Sequence, residues 1–342
     1  MKDRINYISW IVNSNCNLSC IHCYMSSGND YSEPLNGIIA DRIIEEADII
    51  GVKKIFISGG EPLLFKNIYD LINSIKQHGI KTTLCTNATL LKPQVITKLK
   101  IAGLDGLSIG LESLDSNSYH RYRGRDNITE ILQNIREAQE QSLKVSLDVT
   151  VTRLNRNELS NIINYCIQNK IDAFLKRFLP LGRGKTNQKQ LQLSRIENKA
   201  ILKLWAELFF EYRGIVKFYS HDPLFGVLID QMAKVNNVIL GENEKHPGCI
   251  AGKQWVGIAP DGNVMICPIL ARFVQLDNIR EKSISEIFNN SMIFKNIRDR
   301  NCLKGSCKRC RYREECGGCR AAAYSVNGEI FGTDPMCSLF EG

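Results

Sequence analysis

Cys16, Cys20 and Cys23 follow one another at C-x3-C-x2-C inside SNCNLSCIHCY, and the next cysteine is Cys85. A structural zinc site closes a tetrahedron with four protein ligands, whereas three thiolates on one loop leave a coordination position for something else. A four-iron cluster held by three cysteines keeps one iron open. A zinc knuckle that borrows a distant fourth ligand is the competing arrangement. Either way the triplet constrains the fold. It directly follows the β-rich run INYISWIV, so its loop leaves the C-terminal end of the first strand.

The sheet receiving that strand is expected to be parallel. The runs INYISWIV, KKIFISG, KTTLCTN, GLSIGLE, KVSLDVTVT and AFLKRFLPLG alternate with helical segments such as NIYDLINSIKQHG, ITEILQNIREAQEQS and ELSNIINYCIQNK. Six β/α units with short connections predict an α/β fold built on an open, partial (β/α)6 TIM-like barrel, whose working residues lie beyond the C-terminal strand ends. This domain is expected over residues 1–184. From GRGKTNQKQLQLS the pattern turns polar, and RIENKAILKLWAELFFEYRG and PLFGVLIDQMAKVNNV form a linker and helical bridge over 185–247. Residues 248–342 read as a small cysteine-rich domain, too thin in apolar residues to fold without a metal staple.

Thirteen cysteines would form a disulfide framework in a secreted chain. However, MKDRINYISWIV lacks the basic start, apolar stretch and cleavage site of an export signal, and no run of about 18 apolar residues occurs. A cytoplasmic protein is therefore expected, its thiols reduced and available for metal or redox chemistry. The net charge of +8 is spread along the chain, and its densest patch, Lys304, Lys308, Arg309, Arg311 and Arg313, has no repeated aromatic interleaving. Neither nucleic acid nor a membrane is expected as a partner.

The triplet followed by Tyr24, with GGEP after the second strand and TNATLL after the third, resembles the radical S-adenosylmethionine enzymes over about half the chain. The resemblance implies that Cys16, Cys20 and Cys23 bind a [4Fe-4S] cluster. Its open iron chelates the amino and carboxylate groups of S-adenosylmethionine, and one electron releases a 5'-deoxyadenosyl radical. Gly59, Gly60 and Glu61 resemble the turn that holds the methionine amino group, with Glu61 expected to bond it, the glycines allowing close backbone approach and Pro62 fixing the exit. His22 and Tyr24 flank the third cysteine, His22 standing where the family often has an aromatic on adenine. Ser108 and Arg123 resemble residues that reach the ribose and the methionine carboxylate. Asn87 follows the family pattern, while Ala88 stands where glycine is usual. Cys85 and Cys166 are expected to be core thiols.

In the C-terminal region, Cys249, Cys267, the run C307-x2-C310-x5-C316-x2-C319 and DPMC at Cys337 could be read as a zinc ribbon, although the five-residue gap is short for two knuckles. With CGGCRAAAY they resemble a SPASM auxiliary-cluster domain. That resemblance implies one cluster on Cys307, Cys310, Cys316 and Cys337 and an inner one on Cys249, Cys267 and Cys319, three iron-sulfur clusters in all. No extra cysteine lies between Cys249 and Cys267, so the inner cluster either keeps an open iron or takes Cys302. The expected function is S-adenosylmethionine cleavage coupled to oxidation or crosslinking of a ribosomally made precursor peptide. A flavodoxin or ferredoxin-type protein would supply electrons. A separate leader-recognition protein is expected, because only about 15 residues precede the first cysteine. Tetrapyrrole side-chain oxidation, formylglycine formation on sulfatases and a nonenzymatic iron-sulfur scaffold are the alternatives. His221 and Asp222, in YSHDPLF, read either as an acid/base pair or as the cap of the helix that Pro223 begins.

Overall fold

The computed structural model describes residues 4–28, 35–242, 244–274 and 276–339. The six anticipated strands form in order: β1 (Tyr7–Ile11), β2 (Lys54–Ser58), β3 (Lys81–Thr86), β4 (Gly106–Gly110), β5 (Lys144–Val151) and β6 (Asp172–Arg177), each parallel to the next. The last ends before Pro180, which has no N–H to donate to a ladder.

Strand alternation divides the sheet into two unlike faces. On one, Ile55, Ile57, Leu84, Leu107, Ile109, Leu147, Val149 and Ala173 are at most 1% exposed, in one core with the covering helices. The helix Ile68–Gln77 meets them through Ile68, Leu71, Ile72 and Ile75, and Ile128–Glu140 through Ile128, Ile131, Ile135 and Ala138, both at helical spacing. Cys166 is fully buried among Leu159, Ile162 and Ile163 of the helix Leu159–Asn169, as its spacing predicts.

The opposite, inner face carries Phe56, Cys85, Ser108, Asp148 and Lys176. A closed barrel fills this space with branched aliphatic side chains; here the adjacent strands β4, β5 and β6 line it with the bonded polar groups Ser108, Asp148 and Lys176. Cys85 is therefore not the core thiol expected. It stands opposite Ser108 in the β3–β4 register, and burial raises its thiol to about 12. The period-2 pattern does not distinguish a polar lumen from an apolar core when a cysteine occupies the position.

The sheet also continues beyond six strands. β7 (Phe218–Ser220), from the segment read as a helical bridge, pairs with β6, and β8 (Trp255–Ile258), from the cysteine-rich region, runs parallel to β1 with β9 (Val264–Met265) antiparallel beyond it. These strands, two to four residues long, are too short for a periodic signal. Nor is the cysteine-rich region apolar-poor: Ile266, Leu270, Ile279, Ile284, Ile287, Phe294 and Ile297 are at most 1% exposed and belong to the main core.

Candidate active site

The loop after β1 is set by backbone packing. A Cβ on Gly59 would lie 2.5 Å from Asn13 Oδ1 and 2.9 Å from its carbonyl oxygen, and one on Gly60 would overlap the Asn15 carbonyl. Without those atoms, Gly60 N–H donates to Asn13 O (3.0 Å) and Glu61 N–H to Asn15 O (2.7 Å), which locks the turn after β2 against the residues preceding Cys16. Gly60→Ala is accordingly expected to destabilise the chain by about 1–3 kcal/mol and to weaken S-adenosylmethionine binding, checked by urea denaturation and by titration calorimetry of the cluster-loaded protein.

Glu61 is fully buried, and its carboxylate accepts from Thr86 Oγ1 (2.7 Å), Asn87 N (2.8 Å) and Leu63 N (3.1 Å). Burial raises its carboxyl while those three donors oppose the shift. The side chain is thus a brace between the ends of β2 and β3. Asn87 extends the brace, with Nδ2 3.0 Å from Asn17 Oδ1 and 3.9 Å from Cys16 Sγ. Ala88 takes a left-handed φ of 62°, the conformation that glycine adopts more easily.

Cys16, Cys20 and Cys23 lie within electrostatic reach of one another. Leu18 N–H donates to Cys16 Sγ (3.4 Å) and Arg123 Nη1 to Cys20 Sγ (3.6 Å), bonds that favour thiolate. Burial otherwise raises the Cys16 and Cys20 thiols, that of Cys20 to about 11. The polar segment from Gly182 clamps the loop from behind: Arg183 donates to Cys20 O and Ser27 O, Asn187 Nδ2 to Ile21 O, and Gly184 N–H to Cys23 O.

Arg123 closes the helix Ser116–Arg123, is 7% exposed, and donates through Nε (2.8 Å) and Nη2 (2.6 Å) to Glu112 Oε2. The other Glu112 oxygen lies 3.3 Å from His22 Nε2. His22 is edge-on to Tyr122, and its Nδ1 is buried without a partner, free for a ligand. Burial alone would raise Glu112, yet Arg123 and His22 hold it down at about 2. Glu112 was missed in the sequence. The available signal was an acidic residue two positions beyond an otherwise uncharged strand, at the C-terminal end where such folds place working groups.

In the lumen, Asp148 Oδ2 accepts from Ser108 Oγ (2.7 Å) and Lys176 Nζ (2.5 Å). His221 stacks on Phe174 (5.7 Å) and meets Trp255 edge-on (6.1 Å). It is open to solvent yet surrounded by protein, which together with Lys176 lowers it to about 4, so the ring is neutral. Asp222 turns away from it. Its carboxylate caps the helix Pro223–Val235 through Leu224 N (3.0 Å) and pairs with Arg177 at 2.7 and 2.5 Å, so the two do not form an acid/base pair.

Two sets of the C-terminal cysteines act on one another. Cys267 is influenced by Cys319 and Cys249, and Cys316 by Cys337. Main-chain N–H groups donate to the sulfurs of Cys307 (from Asp334), Cys310 (from Tyr312) and Cys316 (from Gly318), each at 3.4 Å. Cys302 behaves oppositely: its thiol donates to Asp299 (3.6 Å), and the charges acting on it are those of Asp299 and Lys308, not of another thiol. Cys302→Ala is therefore expected to leave iron content and EPR spectra unchanged. Loss of one cluster would make Cys302 a ligand. Burial raises the Tyr24 hydroxyl, and the charges of Cys23 and Cys267 act on it in the same direction.

Residues 10–191, more than half of the chain, match the radical SAM superfamily. The chain belongs to that superfamily. Residues 249–319 match SPASM, an iron-sulfur cluster-binding domain. This radical SAM protein is 29% identical to an AdoMet-dependent heme synthase of Methanosarcina barkeri, over 98% of this chain and 97% of the relative. It is 25% identical to the mycofactocin maturase MftC of Mycolicibacterium smegmatis, over 96% and 82%. Among solved structures, Streptococcus suis SuiB bound to S-adenosylmethionine aligns with a TM-score of 0.78 at 19% identity, covering 98% of this chain and 78% of that one. Native anSMEcpe with bound AdoMet aligns at 0.73 and 16% identity, covering 97% and 94%. Both likenesses concern the fold. Among the described residues no helix is long and apolar enough to cross a membrane.

Proposed function

We propose that this radical SAM protein oxidises or crosslinks a residue of a ribosomally made peptide, with the oxidised side chain entering the polar lumen. Cys16, Cys20 and Cys23 hold the catalytic [4Fe-4S] cluster; Cys249, Cys267 and Cys319 hold an inner auxiliary cluster, and Cys307, Cys310, Cys316 and Cys337 an outer one. When bound, the catalytic cluster and S-adenosylmethionine supply a 5'-deoxyadenosyl radical able to take a hydrogen atom from a substrate C–H bond. The turn Gly59–Glu61 offers backbone to the methionine amino group, Arg123 faces the carboxylate side near Cys20, Ser108 serves the ribose, and His22, Tyr24 and Asn87 line the cofactor. His221 borders the lumen beside Phe174 and Trp255, where it would meet the substrate as a neutral ring. A flavodoxin or ferredoxin-type donor, a separate leader-recognition protein and a cytoplasmic setting complete this reading.

What supports it is Tyr24, close enough to both Cys23 and Cys267 for their charges to act on it, as a route between the two clusters would require. The lumen wall of Ser108, Asp148, Lys176, His221 and Phe174 suits one side chain delivered by a flexible chain. Tetrapyrrole side-chain oxidation is the second reading, favoured by the relatives named AdoMet-dependent heme synthase, at 25–29% identity over 97–98% of the chain. The deciding experiment incubates the reconstituted protein anaerobically with S-adenosylmethionine, dithionite, and either a short peptide encoded beside its gene or a carboxylated porphyrin. Formation of 5'-deoxyadenosine with a mass loss on the peptide supports the first reading. Mass loss on the porphyrin alone replaces it with the second, and absence of 5'-deoxyadenosine under all conditions rejects both.

A further inference from the structure

Consecutive residues of a strand point to opposite faces, so while Lys176 lines the lumen, Arg177, the last residue of β6, turns toward the C-terminal region. Its side chain is 5% exposed, and those of its two acidic partners at most 1%. Arg177 donates to Asp222 at 2.7 and 2.5 Å and to both oxygens of Asp334 at 2.7 and 2.8 Å. One buried cation is thus shared between two carboxylates, and the group is net negative.

Asp222 spends its other bonds on the helix it caps. Asp334 spends them among the cysteines: Oδ2 accepts from Cys319 N (2.8 Å), Oδ1 from Met336 N (2.9 Å), and its own N–H donates to Cys307 Sγ (3.4 Å). The carboxylate therefore ties the end of β6 to the Cys319 main chain. Charge follows the same path. Burial raises the Cys319 thiol to about 12, with Arg177 favouring its thiolate and Asp334 opposing it. Burial also raises the Cys267 thiol, against the main-chain N–H groups of Ile269 and Leu270, and the charges of Cys319 and Cys249 reach it. Backbone donors aimed at sulfurs that act on one another suit the ligands of an iron-sulfur cluster.

We infer that Arg177 and Asp334 are positioning residues for electron transfer: they fix Cys319 against the end of β6, and their opposed charges set the reduction potential of the cluster held by Cys249, Cys267 and Cys319, Arg177 upward and Asp334 downward. The inference rests on the auxiliary-cluster reading above and deepens it. A cation beside a cluster stabilises its reduced, more negative state, and an anion does the opposite. The pair thereby decides how readily the inner cluster is reduced by the one electron that the substrate radical gives up when it is oxidised; the proton released with it goes to solvent.

The test is an EPR-monitored redox titration of the full, reconstituted chain in a Cys16, Cys20 and Cys23→Ala background, so that only auxiliary signals are read. The inner signal is identified as the one lost in Cys267→Ala. Asp334→Asn should lower the oxidised-to-reduced ratio of that signal at a fixed poise about tenfold, equivalent to about +59 mV for a one-electron couple, and Arg177→Gln should raise it by a similar factor. The double variant removes one charge of each sign, so it should return the ratio to within about twofold of wild type. A purely structural pair would instead make the double variant the worst of the three. If Arg177→Gln alone fails to assemble its cluster, Asp334→Asn against the double variant still reads the sign. Shifts of the same sign in both single variants would overturn the inference, as would unchanged potentials at intact iron and sulfide content, a shift confined to the outer signal, or loss of the inner cluster in all three variants. A wild-type chain that binds iron only at Cys16, Cys20 and Cys23 removes the auxiliary-cluster reading itself, and the inference with it. A substrate other than a peptide leaves it standing.

Discussion

Replacing Cys16, Cys20 and Cys23 together by alanine is expected to lower iron content by about four atoms per chain and to abolish 5'-deoxyadenosine formation. The loop bearing them is held by bonds that do not involve sulfur: Arg183 to Cys20 O and Ser27 O, Asn187 to Ile21 O, and Gly60 and Glu61 to Asn13 O and Asn15 O. The fold should therefore survive, with its far-ultraviolet circular dichroism and the iron at the C-terminal cysteines retained. Iron analysis and chromatography of the reaction mixture read the two effects separately. Cleavage retained by the triple variant would remove the assignment, and loss of all iron would show that the C-terminal sites depend on the first.

The second large effect is expected at Glu112. Its carboxylate is 2% exposed and held at about 2 against an unperturbed 4.5, burial acting upward and Arg123 and His22 downward by more. Glu112→Ala leaves the buried Arg123 guanidinium without its counter-charge and should cost about 3–5 kcal/mol, read as a lowered urea midpoint at pH 7. The pH dependence has a definite sign. Because the folded value is depressed, this stabilisation is fully present above about pH 4.5 and is lost as pH falls toward 2. The gap between wild type and Glu112→Ala should therefore narrow across that window. A gap of the same size at pH 7 and pH 3 would mean that the ionised pair contributes nothing.

Glu112 also illustrates which parts of this molecule the sequence made legible. The six strands and their helices were readable because apolar residues recur at periods of 2 and 3.6 over long enough runs, and Cys166 fell on its predicted buried face. The cysteine triplet and the turn at Gly59 were readable because spacing fixes which groups a loop can bring together. Interactions between residues far apart were not. The bond from Arg123 to Glu112, the bond from Ser108 to Asp148 and the lumen position of Cys85 depend on which face of the sheet a side chain enters, and an isolated polar residue does not reveal that. Motif position also says nothing of internal donors, and in the fold Thr86, Asn87 and Leu63 all donate to Glu61. Asp222 was open between two roles until Arg177 and the Leu224 N–H resolved it as a cap.

The parallel pairing of β1 with β8 also governs how the chain reaches its fold. Tyr7 is registered with Trp255, so β1 has no neighbour on that side until about 250 further residues have been made. Closing so long a loop is entropically expensive and slow. Throughout that interval β1 is an open edge with unpaired backbone groups and three thiols just beyond its end. Synthesis thus leaves a period in which iron insertion competes with oxidation and strand-to-strand aggregation, and slowing translation after residue 258 should not shorten it, whereas stalling before that point should prolong it.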